Sequence, residues 1–116
     1  MKKISKWELI GYCGVDSGTL MLVDPCYVLP DKTMMTNPKA MEKWAGEHKG
    51  YGEMFDEMHK DDTDWKKQSA HIVLSGVGGD GVVVHTYDGD GSYPVFAKFE
   101  IDGEHKAIRE VKIKFV

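Results

Sequence analysis

Gly89-Asp90-Gly91-Ser92-Tyr93-Pro94-Val95 opens the alternating run that closes the chain, and its two halves demand different geometry. The glycines bracket a polar turn. Beyond it, Tyr93, Val95, Ala97, Phe99 and Ile101 share one face of a strand, with Phe96, Lys98 and Glu100 on the other. Pro94 has no amide hydrogen for a ladder, which places it at the start of that strand or on an edge. The turn is therefore a fixed rim beside a sheet. Acids, a hydroxyl and glycine amides on such a rim can hold a small ligand, although Gly and Asp are also ordinary turn residues.

Working outward, Asp102-Gly103 signals a hairpin, after which Val111, Ile113 and Phe115 alternate with Lys112 and Lys114. Upstream, residues 82–87 read as a central strand. Ala70, Ile72 and Leu74 alternate with His71, Val73 and Ser75, and Gly76, Gly78, Gly79 and Gly81 crowd around Asp80 as the expected hairpin connection. Near the N-terminus, two apolar runs flank Asp16-Ser17-Gly18, which predicts a β-hairpin over residues 8–24. Asp24-Pro25-Cys26-Tyr27 then takes the chain out of the sheet, because proline stops regular pairing. Asn37-Pro38 has the form of a helix cap and first turn, and Met41, Trp44, Ala45 and His48 follow at helical spacing. A second short helical pattern over 53–60 groups Met54, Phe55 and Met58, and Trp65 is expected to tuck into the core. The expectation is one domain over 1–116, α+β and mainly β. Its antiparallel sheet curls into a sandwich or partial barrel, with one or two short helices inserted at about 37–60.

Composition narrows the function classes. The 116 residues are 41% hydrophobic and 29% charged, with a net charge of -4, which gives no overall attraction to nucleic acid or an anionic membrane. No apolar run suits a membrane helix and no signal peptide is indicated, so the expected location is the cytoplasm. Two cysteines in a reducing compartment imply free thiols.

Three ordered motifs, Gly14-Val15-Asp16-Ser17-Gly18-Thr19-Leu20-Met21, Val23-Asp24-Pro25-Cys26-Tyr27 and the opening Gly89–Val95 stretch, together carry a resemblance. The chain is similar to the domain of unknown function 4241 family, small uncharacterised proteins of bacteriophages and bacteria. The resemblance covers the N-terminal hairpin and the C-terminal third, with residues 29–68 matching nothing. It implies a β-rich fold and a phage or prophage origin, hence the host cytoplasm, and brings no activity, ligand or site residue with it.

The residues themselves leave several constellations. Asp88, Asp90 and Ser92 have the alternate spacing of a calcium loop, but the position where an EF-hand needs glutamate is Phe99. Cys13, Cys26, His71 and His85 lack the close pairs of a zinc site. Cys26 with His71 or His85 is the one candidate nucleophile and base. The glycine-rich run can present amides to a phosphate beside Lys98, Arg109, Lys112 or Lys114, although it lacks the lysine and hydroxyl of a phosphate loop. No catalytic residue, metal or cofactor is assigned. The expected function is a non-catalytic binding module that engages a host protein or sequesters a small ligand, a phosphorylated one included. Its candidate ligand residues are Asp16, Ser17, Asp24, Cys26, Tyr27, Asp90, Ser92 and Tyr93; its candidate partner contacts are Met41, Trp44, Phe55 and Trp65. The alternatives are a small hydrolase or metal-dependent enzyme using a loop rim, and an assembly protein that forms homo-oligomers through sheet edges.

Overall fold

The computed structural model describes residues 1–48, 53, 56, 68–75 and 78–116. The described residues are mainly β, with two short helices bounded among them. In order they form β1 (Lys2–Ile4), β2 (Glu8–Val15), β3 (Thr19–Val23), a 3-10 turn (Pro25–Tyr27), α1 (Lys32–Met35), α2 (Pro38–Glu47), β4 (Ser69–Ser75), β5 (Gly78–His85), β6 (Gly91–Asp102) and β7 (His105–Ile113). The strands divide into two open sheets. The residues group into two compact units, one of residues 1–19 with 86–116 and one of residues 20–85.

In the first unit β6 is the spine. Along one edge it pairs antiparallel with β2, from Val15↔Gly91 to Glu8↔Ala97, and then with β1, from Ile4↔Glu100 to Lys2↔Asp102. Its other edge carries β7, joined by the expected tight hairpin in which Gly103 adopts φ 62. Two bulges adjust the registers: Ile10 is the extra residue between Leu9↔Phe96 and Gly11↔Val95, and Arg109 is the extra residue between Ile108↔Phe99 and Glu110↔Lys98. The buried residues are Val15, Tyr93, Ala97 and Thr86. Pro94 falls near the start of β6, before the paired β7 register begins at Val95↔Ile113.

The hairpin expected over residues 8–24 does not form. β2 and β3 sit in different sheets, β2 on β6 and β3 on β5. Gly18, at φ 71, turns the chain, and its carbonyl accepts the Thr86 amide at 3.0 Å, so the turn is tied to a residue far along the sequence. Local hairpin signals lost here to a longer-range pairing that satisfies the same backbone groups.

In the second unit the strand order is β3-β5-β4, which makes β5 central, as its apolar run suggested. Ile72 and Val83 are fully buried, and Met21, Val23, Tyr27, Val28 and Ala70 pack on them. The glycine run is not simply a hairpin connection. Gly78, Gly79, Asp80 and Gly81 belong to β5 itself, with Ser75↔Gly78 and Ile72↔Gly81 in register. A Cβ on Gly81 would lie 3.4 Å from the Leu22 carbonyl oxygen and from Val23 Cγ2, so the missing side chain lets β3 approach closely.

Both helices begin on a capping side chain. Asp31 Oδ1 accepts the Met34 amide at 2.8 Å, which starts a one-turn α1 that sequence periodicity was too short to reveal. Asn37 Oδ1 accepts the Lys39 and Ala40 amides at 3.1 and 3.2 Å, with Pro38 in the first helical turn as expected. His48, expected on the apolar helical face, is instead the extended C-cap residue. Its ring stacks on Trp44 at 4.3 Å, with Nδ1 2.7 Å from the Trp44 carbonyl oxygen. Of the second helical pattern only Glu53 and Asp56 are described, both helical and exposed; Met54, Phe55, Met58 and Trp65 lie outside the described residues. No described helix is long and apolar enough to cross a membrane.

Candidate functional site

The first unit sets two turns side by side. Residues 16–18 end β2 and residues 86–90 lead into β6; a Cβ on Gly18 would lie 3.9 Å from Gly89 Cα, and the Thr86 amide closes on the Gly18 carbonyl. Within the second turn, the Gly89 amide returns to the Thr86 carbonyl at 3.1 Å. The Gly89 carbonyl accepts two hydroxyls, those of Thr86 and of Tyr93, the latter at 2.7 Å. Gly89 holds φ 79, and a Cβ on Gly91 would lie 3.3 Å from Cζ and Oη of Tyr93. The Gly-Asp-Gly-Ser-Tyr motif is thus a clamp: the buried tyrosine folds back over one glycine to reach the carbonyl of the other.

This clamp brings Asp16, Ser17, Asp90, Ser92 and Tyr93 into one unit. Asp16, Ser17, Asp90 and Ser92 are exposed. Ser17 Oγ already meets Thr19 Oγ1 at 2.8 Å, and the Tyr93 hydroxyl is held by Gly89, which leaves the Tyr93 ring rather than its hydroxyl for a ligand.

Asp24, Cys26 and Tyr27 make a cluster of their own in the second unit. Asp24 caps the 3-10 turn by accepting the Cys26 amide at 3.0 Å. That amide bond, followed by the Cys26 side chain, holds the Asp24 carboxyl below its usual range, while hydrogen bonding to Asp24 raises the Cys26 thiol. A raised thiol keeps its proton and is a poor nucleophile. Tyr27 packs on the Ile72–Val83 core. Cys13 and Cys26 are both free thiols. Among the described residues no three His, Cys, Asp or Glu side chains gather to hold a metal.

Beside the clamp lies an open cavity of about 350 Å³ lined by Ser92, Tyr93, Pro94, Phe96, Lys114, Phe115 and Val116. Its far wall exists because the Arg109 bulge shifts β7 by one residue. Continued past Val95↔Ile113, that register carries Lys114 to Pro94, whose carbonyl accepts the Lys114 amide at 3.2 Å. It also brings Phe115 edge-on to Tyr93, with centroids 5.3 Å apart at 80°. Phe96 and Phe115 were not among the expected site residues, and Lys114 was expected beside the glycine-rich run rather than here. Their alternation is visible in the sequence; the bulge that sets their partners shows there only as a change of apolar parity between Ile108 and Val111.

A smaller hollow of about 220 Å³ in the second unit is lined by Met34, Ala40, Lys43, Trp44 and Glu47. Met41 and Trp44, the described candidates for partner contact, are both half-buried. The lysines once grouped with the glycine-rich run belong to the first unit, and Gly78–Gly81 to the second.

No curated protein and no solved structure matches this chain. A family model described as protein of unknown function (DUF4241) matches residues 1–109. That span includes residues 29–68, and the chain belongs to the DUF4241 family.

Proposed function

We propose that the protein is a non-catalytic binding module that sequesters a small anionic ligand in the cavity between the start of β6 and the end of β7. The observation that carries this reading is the makeup of that cavity: aromatic surfaces from Tyr93, Phe96 and Phe115 beside one ammonium, Lys114, and one hydroxyl, Ser92. A volume near 350 Å³ is at the lower end of the range that small-molecule sites occupy. Apolar walls with few polar groups favour a compact planar body carrying a negative group. The Tyr93–Gly89 clamp preorganises the floor, which lowers the ordering cost of binding. The Asp24 carboxylate raises the Cys26 thiol, the opposite of the shift that activates a cysteine nucleophile, which weighs against the hydrolase alternative. A thermal-shift screen of small aromatic carboxylates and phosphates tests the reading. A binder should raise the melting temperature of the parent chain and not of Phe115→Ala; a hit that stabilises both equally contradicts the cavity assignment.

A second reading, self-assembly through a sheet edge, rests on β2. Among the described residues β2 pairs only with β6, it carries one charge (Glu8), and Leu9, Ile10 and Tyr12 are 51%, 48% and 66% exposed. The other edge strand, β7, carries Lys106, Arg109, Glu110 and Lys112, the kind of charge that discourages pairing.

A further inference from the structure

We propose that Lys98 and Lys112, held against Trp7 beside Phe96, form a binding site for a phosphoryl group. Trp7 immediately precedes β2, and the registers Leu9↔Phe96 and Phe96↔Lys112 put one position of each strand in a row across the sheet. Lys98 stands two residues along β6 on the same face. The Lys112 ammonium lies 4.2 Å from the Trp7 centroid and 5.7 Å from that of Phe96, and the Lys98 ammonium lies 5.1 Å from Trp7. All four side chains belong to half-buried residues.

A single lysine lying over an indole is ordinary packing. Two ammoniums on one indole repel each other, and among the described residues neither makes an ion pair, although Glu110 stands opposite Lys98 in register. Nearby Arg109 is already paired with Glu100 at 3.2 Å. In a chain of net charge -4, this leaves a small preorganised concentration of positive charge. A phosphoryl group supplies two negative charges and three acceptor oxygens, matching the charge of the two lysines, whereas a monocarboxylate offsets only one charge. The site adjoins the cavity through Phe96 but does not depend on it. Its occupant is either free phosphate or the phosphoryl end of a molecule whose body enters the cavity.

The test is a titration of inorganic phosphate into isotope-labelled protein at low ionic strength, followed by the Trp7 indole N–H and the β6 and β7 amides. Saturable shifts at Trp7, Lys98 and Lys112 are expected, with the Trp44 and Trp65 indoles unmoved. Lys98→Gln with Lys112→Gln should weaken binding by about tenfold or more, the scale of lost charge-assisted hydrogen bonds. Lys98→Arg with Lys112→Arg should restore it. Phenyl phosphate distinguishes the sources: tighter binding with added shifts at Tyr93 and Phe115 marks a phosphorylated aromatic, and equal binding marks free phosphate. Non-saturating shifts at Trp7, full affinity in the glutamine variant, or acetate binding as well as phosphate would each overturn the assignment.

Discussion

The Tyr93 hydroxyl donates to the Gly89 carbonyl at 2.7 Å, four residues back along the chain, and so ties the first buried side chain of β6 to the turn that precedes it. Thr86 donates to the same oxygen, so this carbonyl keeps a partner if Tyr93 loses its hydroxyl. Tyr93→Phe should therefore cost about 1 kcal/mol or less of stability, as read by urea unfolding. Gly91→Ala is a harsher change, because its methyl meets the Tyr93 ring at 3.3 Å; about 1–3 kcal/mol is expected, as for overpacking. Most of that cost should vanish in a Tyr93→Leu background. An undiminished cost there would mean that the tyrosine is not what makes Gly91 necessary.

Asp24 and Cys26 give a pH signature. The Asp24 carboxyl is held below its usual range when folded, so its contribution to stability is present above the ordinary aspartate value, about pH 4, and is lost as pH falls through the lowered folded value. Asp24→Asn should remove that part of the acid slope in urea midpoints measured between neutral pH and pH 3. The same substitution should speed alkylation of Cys26 in a Cys13→Ser background, because the thiol is no longer pushed up by the carboxylate. An unchanged alkylation rate would show that Asp24 does not control the thiol.

The exposed run of β2 makes a prediction about assembly. If the β2 edge pairs with a second copy, light scattering should show mass rising with protein concentration, and Tyr12→Lys, which puts charge on an edge strand, should return it to the monomer value. A monomer mass at every concentration would dispose of the second reading.

Much of the fold was legible because its signals were local. The alternation from Tyr93 onward, the Asp102-Gly103 turn and the Asn37-Pro38 cap each specify their structure within a few residues, and each formed. The hairpin over residues 8–24 failed because Gly18 and Thr86, far apart in sequence, share a backbone hydrogen bond, and nothing near Gly18 announces that partner. Gly78–Gly81 read as a turn because glycine is permissive, whereas at Gly81 the demand is for room beside Val23. The geometry of the candidate site was half legible. Ser92 and Tyr93 were picked from the rim they do line, but Phe115 reaches Tyr93 only through the bulge at Arg109, whose trace in the sequence is the change of apolar parity from Ile108 to Val111 and Ile113 that an alternation read from Val111 onward passes over.

Lys114, Phe115 and Val116 lie beyond residues 1–109, so one wall of the cavity is built from residues outside the family match. The most direct test of a ligand-holding cavity is native mass spectrometry of the protein purified gently from cells, run beside Phe115→Ala, with released molecules identified after denaturation. The expected result is a small anionic molecule bound one to one on the parent chain and depleted on the variant. A molecule retained equally by both, or a parent chain that recovers fully without one and takes up none of the screened aromatic anions, would contradict it.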